Sequence, residues 1–300
     1  MATRELESSP SMLPLFARAG AALIPGASHL PFVRGGGRDV PDLMLRLNDA
    51  AIDADRLTTY CRLCGFGLRD VLPPTYPHII AFPLQLAVMT DPSFPFPAIG
   101  LVHIYNRITQ HRPIGRSERL QVTVWATPIE DHPKGKQFSL RSEARVGEEL
   151  VWEEISTNLK RAGGSGAGAG EAPGSGLPSA ADLPATATWR LPGDLGRRYG
   201  SVSGDMNPIH MHPLSARLFG FKSAIAHGMW TTARCLAALQ SRLPDAFSVE
   251  VAFKKPILLP AAVEFCEQQR EGNSFSVSFG VRDPRTGSSH LDGRASASAY

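Results

Sequence analysis

One pattern occurs twice in this chain, and it limits the possible folds more than any other feature. A mostly apolar helical stretch is followed each time by three runs in which apolar and polar residues alternate. In the first half the helical stretch is Pro77 to Met89, and the runs are Leu101 to Pro113, Arg119 to Trp125 and Gln137 to Arg145. In the second half the helix opens at Gly228 and reaches Leu239, and the runs are Val249 to Pro260, Ala262 to Cys266 and Ser274 to Val281. Alternation with period two marks half-buried antiparallel strands, with one face on a core and the other in water. The first run of each set even keeps one internal spacing, since Asn106 to Pro113 and Phe253 to Pro260 are both seven positions apart. Pro83 either kinks the first helical stretch or starts it.

The segment from Gly163 to Pro178 is almost all Gly, Ala, Ser and Pro, with too little bulk to offset the entropy of ordering, so it reads as a flexible linker. The expected division is an N-terminal unit at 1–162, a linker at 163–180 and a C-terminal unit at 181–300. Three hundred residues with 43% hydrophobic content suffice for two such cores. A formal net charge of +3 is too small to argue for nucleic acid. Four cysteines, at 61, 64, 235 and 266, make no disulfide framework, and Cys61-Arg-Leu-Cys64 has no second pair to complete a zinc site, so reduced structural thiols are expected. The first residues include Arg4, Glu5 and Glu7 without an apolar core of signal-peptide length, and no run reaches the ~18 apolar residues of a membrane span. A soluble, cytoplasmic protein is the expectation.

The chemistry concentrates in Tyr199-Gly-Ser-Val-Ser-Gly-Asp-Met-Asn-Pro-Ile-His210. Gly204 frees the backbone before Asp205, Asn207 is a good helix N-cap, and Pro208 suits the first helical position. Asp205 and His210 can then converge on one small polar target such as a water molecule. A zinc ion would want a third nitrogen or sulfur, and the extra candidate here is His212, which reads better as a surface or capping residue before Pro213, so no metal is expected. Asp205 and Asn207 also suit a purely capping role, and His210 a packed one.

The stretch Gly204-Asp-x-Asn-Pro-x-His210, continued through His212-Pro-Leu-Ser-Ala-Arg-Leu-Phe-Gly-Phe221 to Ala226-His-Gly-Met229, resembles the MaoC-like (R)-specific enoyl-CoA hydratases and 3-hydroxyacyl-thioester dehydratases of the hotdog fold. The resemblance implies reversible syn hydration of trans-2-enoyl thioesters. Asp205 and His210 would handle the protons, Asn207 would hold the loop, and the Gly228 backbone N–H would face the thioester carbonyl. Water addition to such a thioester needs a base, an acid and donors for the enolate oxygen, and the start of a helix at Gly228 offers unpaired amides and a favourable dipole. The implied fold is α+β, a double hotdog in which two antiparallel sheets each wrap a central helix and join into one continuous sheet.

The first half lacks the loop, since Asp70-Val-Leu-Pro-Pro-Thr-Tyr76 stands near its place without Asn-Pro-x-His. That half is expected to shape an acyl pocket around Phe82 and Leu86. Lys254 and Lys255, taken as strand residues with one facing each way, and Arg217, after the loop, are candidates for contacts to the substrate's phosphates. His78, His103, His111 and His227 read as structural. Single-unit relatives carry a serine further along the hotdog helix that supports the catalytic Asp, whereas this chain has Thr231, Thr232 and Cys235 there. No cofactor is expected beyond the coenzyme A or phosphopantetheine of the substrate, and the expected partner is an acyl-CoA or acyl-carrier-protein thioester, without nucleic acid or membrane. A homodimer of double hotdogs is one assembly open to the chain. Two rival functions remain at this stage, a hotdog thioesterase and a non-catalytic acyl-thioester-binding module.

Overall fold

The computed structural model describes residues 1–21, 39–161, 170–270, 272 and 274–298. The elements run β1 (Ala2–Leu6), α1 (Met12–Ala21), β2 (Leu43–Ala50), α2 (Ala54–Cys64), α3 (Tyr76–Met89), β3 (Val102–Gln110), β4 (Leu120–Ala126), β5 (Glu130–His132), β6 (Gly135–Val146) and β7 (Glu149–Arg161). After a short 3-10 turn at Ala180–Asp182 come β8 (Ala185–Leu191), α4 (Leu195–Ser203), α5 (Pro208–Met211), α6 (Pro213–Arg217), α7 (Gly228–Leu239), β9 (Phe247–Phe253), β10 (Ala261–Gln269), β11 (Ser276–Arg282) and β12 (Ser289–Ala297). Both expected helices and all six expected strands are present, with Pro83 inside α3.

The chain forms two compact units, one of residues 1–52, 77–104 and 117–173, the other of residues 53–76, 105–116 and 174–300. This differs from a division at the Gly-rich segment, because residues 53–76 and 105–116 precede that segment yet belong to the second unit. Periodicity identifies an element but carries no information about which core buries it. Of the expected linker, residues 163–169 lie outside the described residues. Its later part is packed, which corrects the flexible reading from Gly174 onward. A Cβ on Gly174 would stand 2.8 Å from that of Ala252 and 3.1 Å from the Tyr105 ring. Further on, the Ala180 N–H donates to the Asp292 carboxylate at 2.7 Å.

In the first unit β2, β4, β6 and β7 pair antiparallel, β5 adds to β6, and β1 joins β2 in parallel. The parallel edge corrects the purely antiparallel expectation, and α1 lies within the long connection between β1 and β2 that parallel pairing requires. The register aligns Leu45, Val124, Ser142 and Glu154 in one row across the sheet. Helix α3 lies on that row, for Gln85 donates to Ser142 Oγ at 3.0 Å and to Glu154 at 2.8 Å, while His78 Nδ1 meets the same carboxylate at 2.8 Å. The Glu154 side chain has no solvent exposure, so these partners must replace its hydration. Replacing Glu154 by Ala removes the shared acceptor of two buried donors and should cost about 3–5 kcal/mol of stability, read as a lower urea midpoint. An unchanged midpoint would show that the row is not a buried support.

In the second unit the later part of β3 pairs with β9, and β12, β11, β10 and β8 follow, all antiparallel. Helix α7 lies against β11 and β12, and Met229, Trp230, Ala233, Leu236 and Leu239 along it are buried. Helix α2 packs beside α7. The Trp230 indole N–H donates to the Leu63 carbonyl at 3.2 Å, and the Arg234 guanidinium lies 4.7 Å over the Trp189 ring. Gly65, the left-handed cap of α2 at φ 85°, leaves room for that guanidinium, which a Cβ would contact at 2.1 Å. All four cysteines are free and buried. No helix among the described residues is long and apolar enough to cross a membrane.

Candidate active site

Helix α4 ends at Gly204, whose φ of 85° turns the chain out of the helix while its N–H still reaches the Gly200 carbonyl at 2.9 Å. The next residues hold themselves. The Asp205 N–H donates to Ser203 Oγ at 3.1 Å, Asp205 Oδ1 accepts the Asn207 N–H at 3.1 Å, and Asn207 Oδ1 accepts the Ile209 N–H at 3.4 Å. Pro208 then opens α5, which carries His210. Gly196 lets α5 lie directly on α4, since a Cβ there would come within 2.0 Å of the His210 carbonyl oxygen.

His210 is buried, and its Nδ1 lies 2.8 Å from the Ile225 carbonyl oxygen. A carbonyl only accepts, so Nδ1 carries the proton and the neutral ring keeps its lone pair on Nε2. Burial pushes the His210 pKa below the usual histidine value, against the pull of Asp205. At neutral pH the ring is therefore a base.

His227, expected to be structural, is placed against both Asp205 and His210. Its ring stacks on His210 with centroids 3.7 Å apart, and the Tyr199 ring lies tilted against it at 4.8 Å. Its Nε2–H donates to the Asp205 backbone carbonyl at 3.0 Å, and Asp205 Oδ2 lies 3.7 Å from the same nitrogen. Burial, with His210 beside it, drives the His227 pKa down to about 3, so the contact with the carboxylate is one of a neutral ring. One oxygen of Asp205 and one nitrogen each of His210 and His227 lie within 4.8 Å of one another. His227, and not His212, is thus the third nitrogen near the pair; His212 Nδ1 instead accepts the Leu214 N–H at the start of α6. Two hydrogen bonds of ~2.8 Å meeting at a roughly tetrahedral water span about 4.6 Å, a separation that falls inside the 4.8 Å limit of this cluster.

Helix α7 begins at Gly228, behind His227, which supplies no side-chain cap to its first amides. A Cβ on Gly228 would strike the Phe253 ring at 2.8 Å, so glycine permits this packing of the ring on the helix start. Thr231 and Thr232 donate to the carbonyls of His227 and Gly228, one turn back in their own helix. The support of Asp205 comes from Ser203 and His227 instead.

The expected phosphate-contact residues lie at the ends of β9 and α6, and the expected pocket residues on α3. Strand β9 ends at Phe253, so Lys254 and Lys255 do not alternate as strand residues and both are exposed. Lys254 Nζ lies 3.7 Å from buried Asp292, and Lys255 donates to Ser288 at 2.9 Å. Arg217 is exposed at the end of α6. Phe82, half-buried beside His78, and buried Leu86 lie on α3 in the first unit. Sequence reasoning missed the contacts of His227 with Asp205 and His210, for which only the Ala226-His-Gly-Met229 spacing offered a signal.

A family model described as MaoC like domain matches residues 178–281, the stretch that builds this loop and α7. The chain is 33% identical over 265 residues to 3-hydroxyacyl-thioester dehydratase X of Mycobacterium tuberculosis, covering 88% of this chain and 91% of that protein. The chain belongs to the MaoC-like dehydratase family. A crystal structure of HtdX from Mycobacterium tuberculosis superposes with a TM-score of 0.73 at 34% identity, over 84% of this chain and 99% of the other. A second protein of that organism, described as a double hotdog fold, has a TM-score of 0.53 at 10% identity, over 87% of this chain and 96% of the other. The fold is thus α+β, a double hotdog, and the MaoC-like protein is a hydro-lyase.

Because the folded state keeps His227 neutral down to a pKa of about 3 while the unfolded chain takes up that proton near 6.5, acidification between these values favours unfolding. The melting temperature should fall from pH 7 to pH 4, and fall less steeply in His227→Gln. Equal slopes in calorimetric scans of the two proteins would remove His227 from this account.

Proposed function

We propose that this protein interconverts trans-2-enoyl and (R)-3-hydroxyacyl thioesters by adding or removing water, within fatty-acid metabolism. The observation that carries the reading is the cluster of an Asp205 carboxylate oxygen with one nitrogen each of His210 and His227, all within 4.8 Å of one another, beside a His210 ring whose Nδ1 is already taken by the Ile225 carbonyl. In hydration the water oxygen bonds to C3 and C2 receives a proton, so the pair ends with the protons it began with. Both steps draw on one small space, which favours delivery to the same face of the double bond, a syn addition. The enolate oxygen formed in between is met by the Gly228 N–H at the start of α7, where removing one such donor typically costs ~2.7–4 kcal/mol of transition-state stabilisation. The relatives' names support a 3-hydroxyacyl thioester as substrate. No group beyond the thioester, carried by coenzyme A or an acyl carrier protein, is needed.

A thioesterase would direct the water to the carbonyl carbon, and the same assay separates the two. With crotonyl-CoA, loss of the enoyl absorbance without thiol release is expected, and chiral analysis should show the (R) product; thiol release would overturn the reading. Asp205→Asn should lose ~10²-fold or more in kcat while staying folded, because an amide can hold the turn but cannot accept a proton. His210→Ala should be similarly impaired, and the double variant scarcely worse than either, since two groups that share one water do not act additively. Additive losses would mean that they do not work as a pair.

A further inference from the structure

Arg56 lies on α2, far upstream of the segment that the family model matches. Helix α2 is anchored at its start by Asp53, whose Oδ1 accepts the N–H groups of Asp55 and Arg56 at 2.9 Å. The half-buried Arg56 side chain then reaches the last turn of α4. Its Nε donates to the Val202 carbonyl at 2.7 Å and its Nη2 to the Ser203 carbonyl at 3.2 Å. These are the final carbonyls of a helix, with no amide of their own helix to accept, at the negative end of its dipole. A cation with two donors set in a rigid fork suits them better than water does.

The grip falls just ahead of the chemistry. Ser203 is the residue whose Oγ accepts the Asp205 N–H, and Gly204 is the left-handed turn that aims Asp205. Ser203 is thus fixed by Arg56 through its carbonyl and fixes Asp205 through its hydroxyl. A second contact runs the same way, as Tyr60 on α2 lies 6.2 Å from Tyr199, the ring that lies against His227.

We propose that Arg56 is a positioning residue for the Asp205–His210 pair, holding the exit of α4 so that the Asp205 carboxylate stays at water-bridging distance from His210. The proposal rests on the acid/base role of those two residues. Misplacement of a reacting group by about 1 Å costs ~10²-fold in rate, so a loosened α4 end should register in turnover before it registers in binding. Arg56→Gln should therefore lower kcat by ~10-fold or more with KM changed less than about twofold, measured on folded protein well below its melting temperature. Arg56→Lys keeps the charge without the fork and should fall between, also at unchanged KM. In an Asp205→Asn background the same substitutions should lower the residual rate no further, because the group being positioned is gone.

Wild-type kcat in Arg56→Lys together with folded Arg56→Gln would overturn the proposal, as would an equal loss in the Asp205→Asn background. Should Arg56→Gln not fold, Arg56→Lys decides alone, and a wild-type kcat in it would sink the idea. An unimpaired Asp205→Asn protein would instead overturn the acid/base assignment itself.

Discussion

The chemistry of this site depends on one hydrogen bond, from His210 Nδ1–H to the carbonyl of Ile225. That carbonyl can only accept, so it dictates the tautomer and leaves the basic nitrogen on the other side of the ring. The bond would mean little if Ile225 could move. Its N–H donates to the Ile209 carbonyl at 3.1 Å, and the neighbouring Ala226 N–H donates to Ile257 at 3.0 Å. Leu259 N–H completes the clasp on Ala224 at 2.8 Å. Helix α5 is thus tied to the segment that leads into α7, and His210 and the first amides of that helix are set by one piece of backbone.

A second constraint is the burial of two imidazoles face to face. A protonated His210 would meet a stacked neighbour in a water-poor place, and the cost of charging falls on both rings. The consequence is a pair held neutral at ordinary pH, one ring as base and the other as a donor to the Asp205 backbone.

Long-range packing explains why the second unit takes residues 53–76 from far upstream. Helix α2 meets α7 through Trp230 and Arg234, and α4 through Arg56. The turns around Asp205 and Asn207 bond largely within themselves, but α4 leaves its last carbonyls to a partner. That partner is separated from them by about half the chain.

Much was legible without coordinates. The period-two runs located six strands and the apolar stretches two helices, because alternation and 3.6-residue spacing are local consequences of which face is buried. Gly204, Asn207 and Pro208 likewise specified a turn whose hydrogen bonds are nearly all internal, so Asp205 and His210 could be singled out from spacing alone. The tertiary structure decided what depends on contacts between distant residues. It placed Lys254 and Lys255 beyond the end of β9, packed Gly174 against Tyr105 and Ala252, and paired β1 with β2 in parallel. Above all it placed His227 against Asp205 and His210 and brought Arg56 to Ser203. A sequence states the chemistry and local bonding of each residue, whereas a role that consists of touching something 147 positions away exists only once the chain has folded.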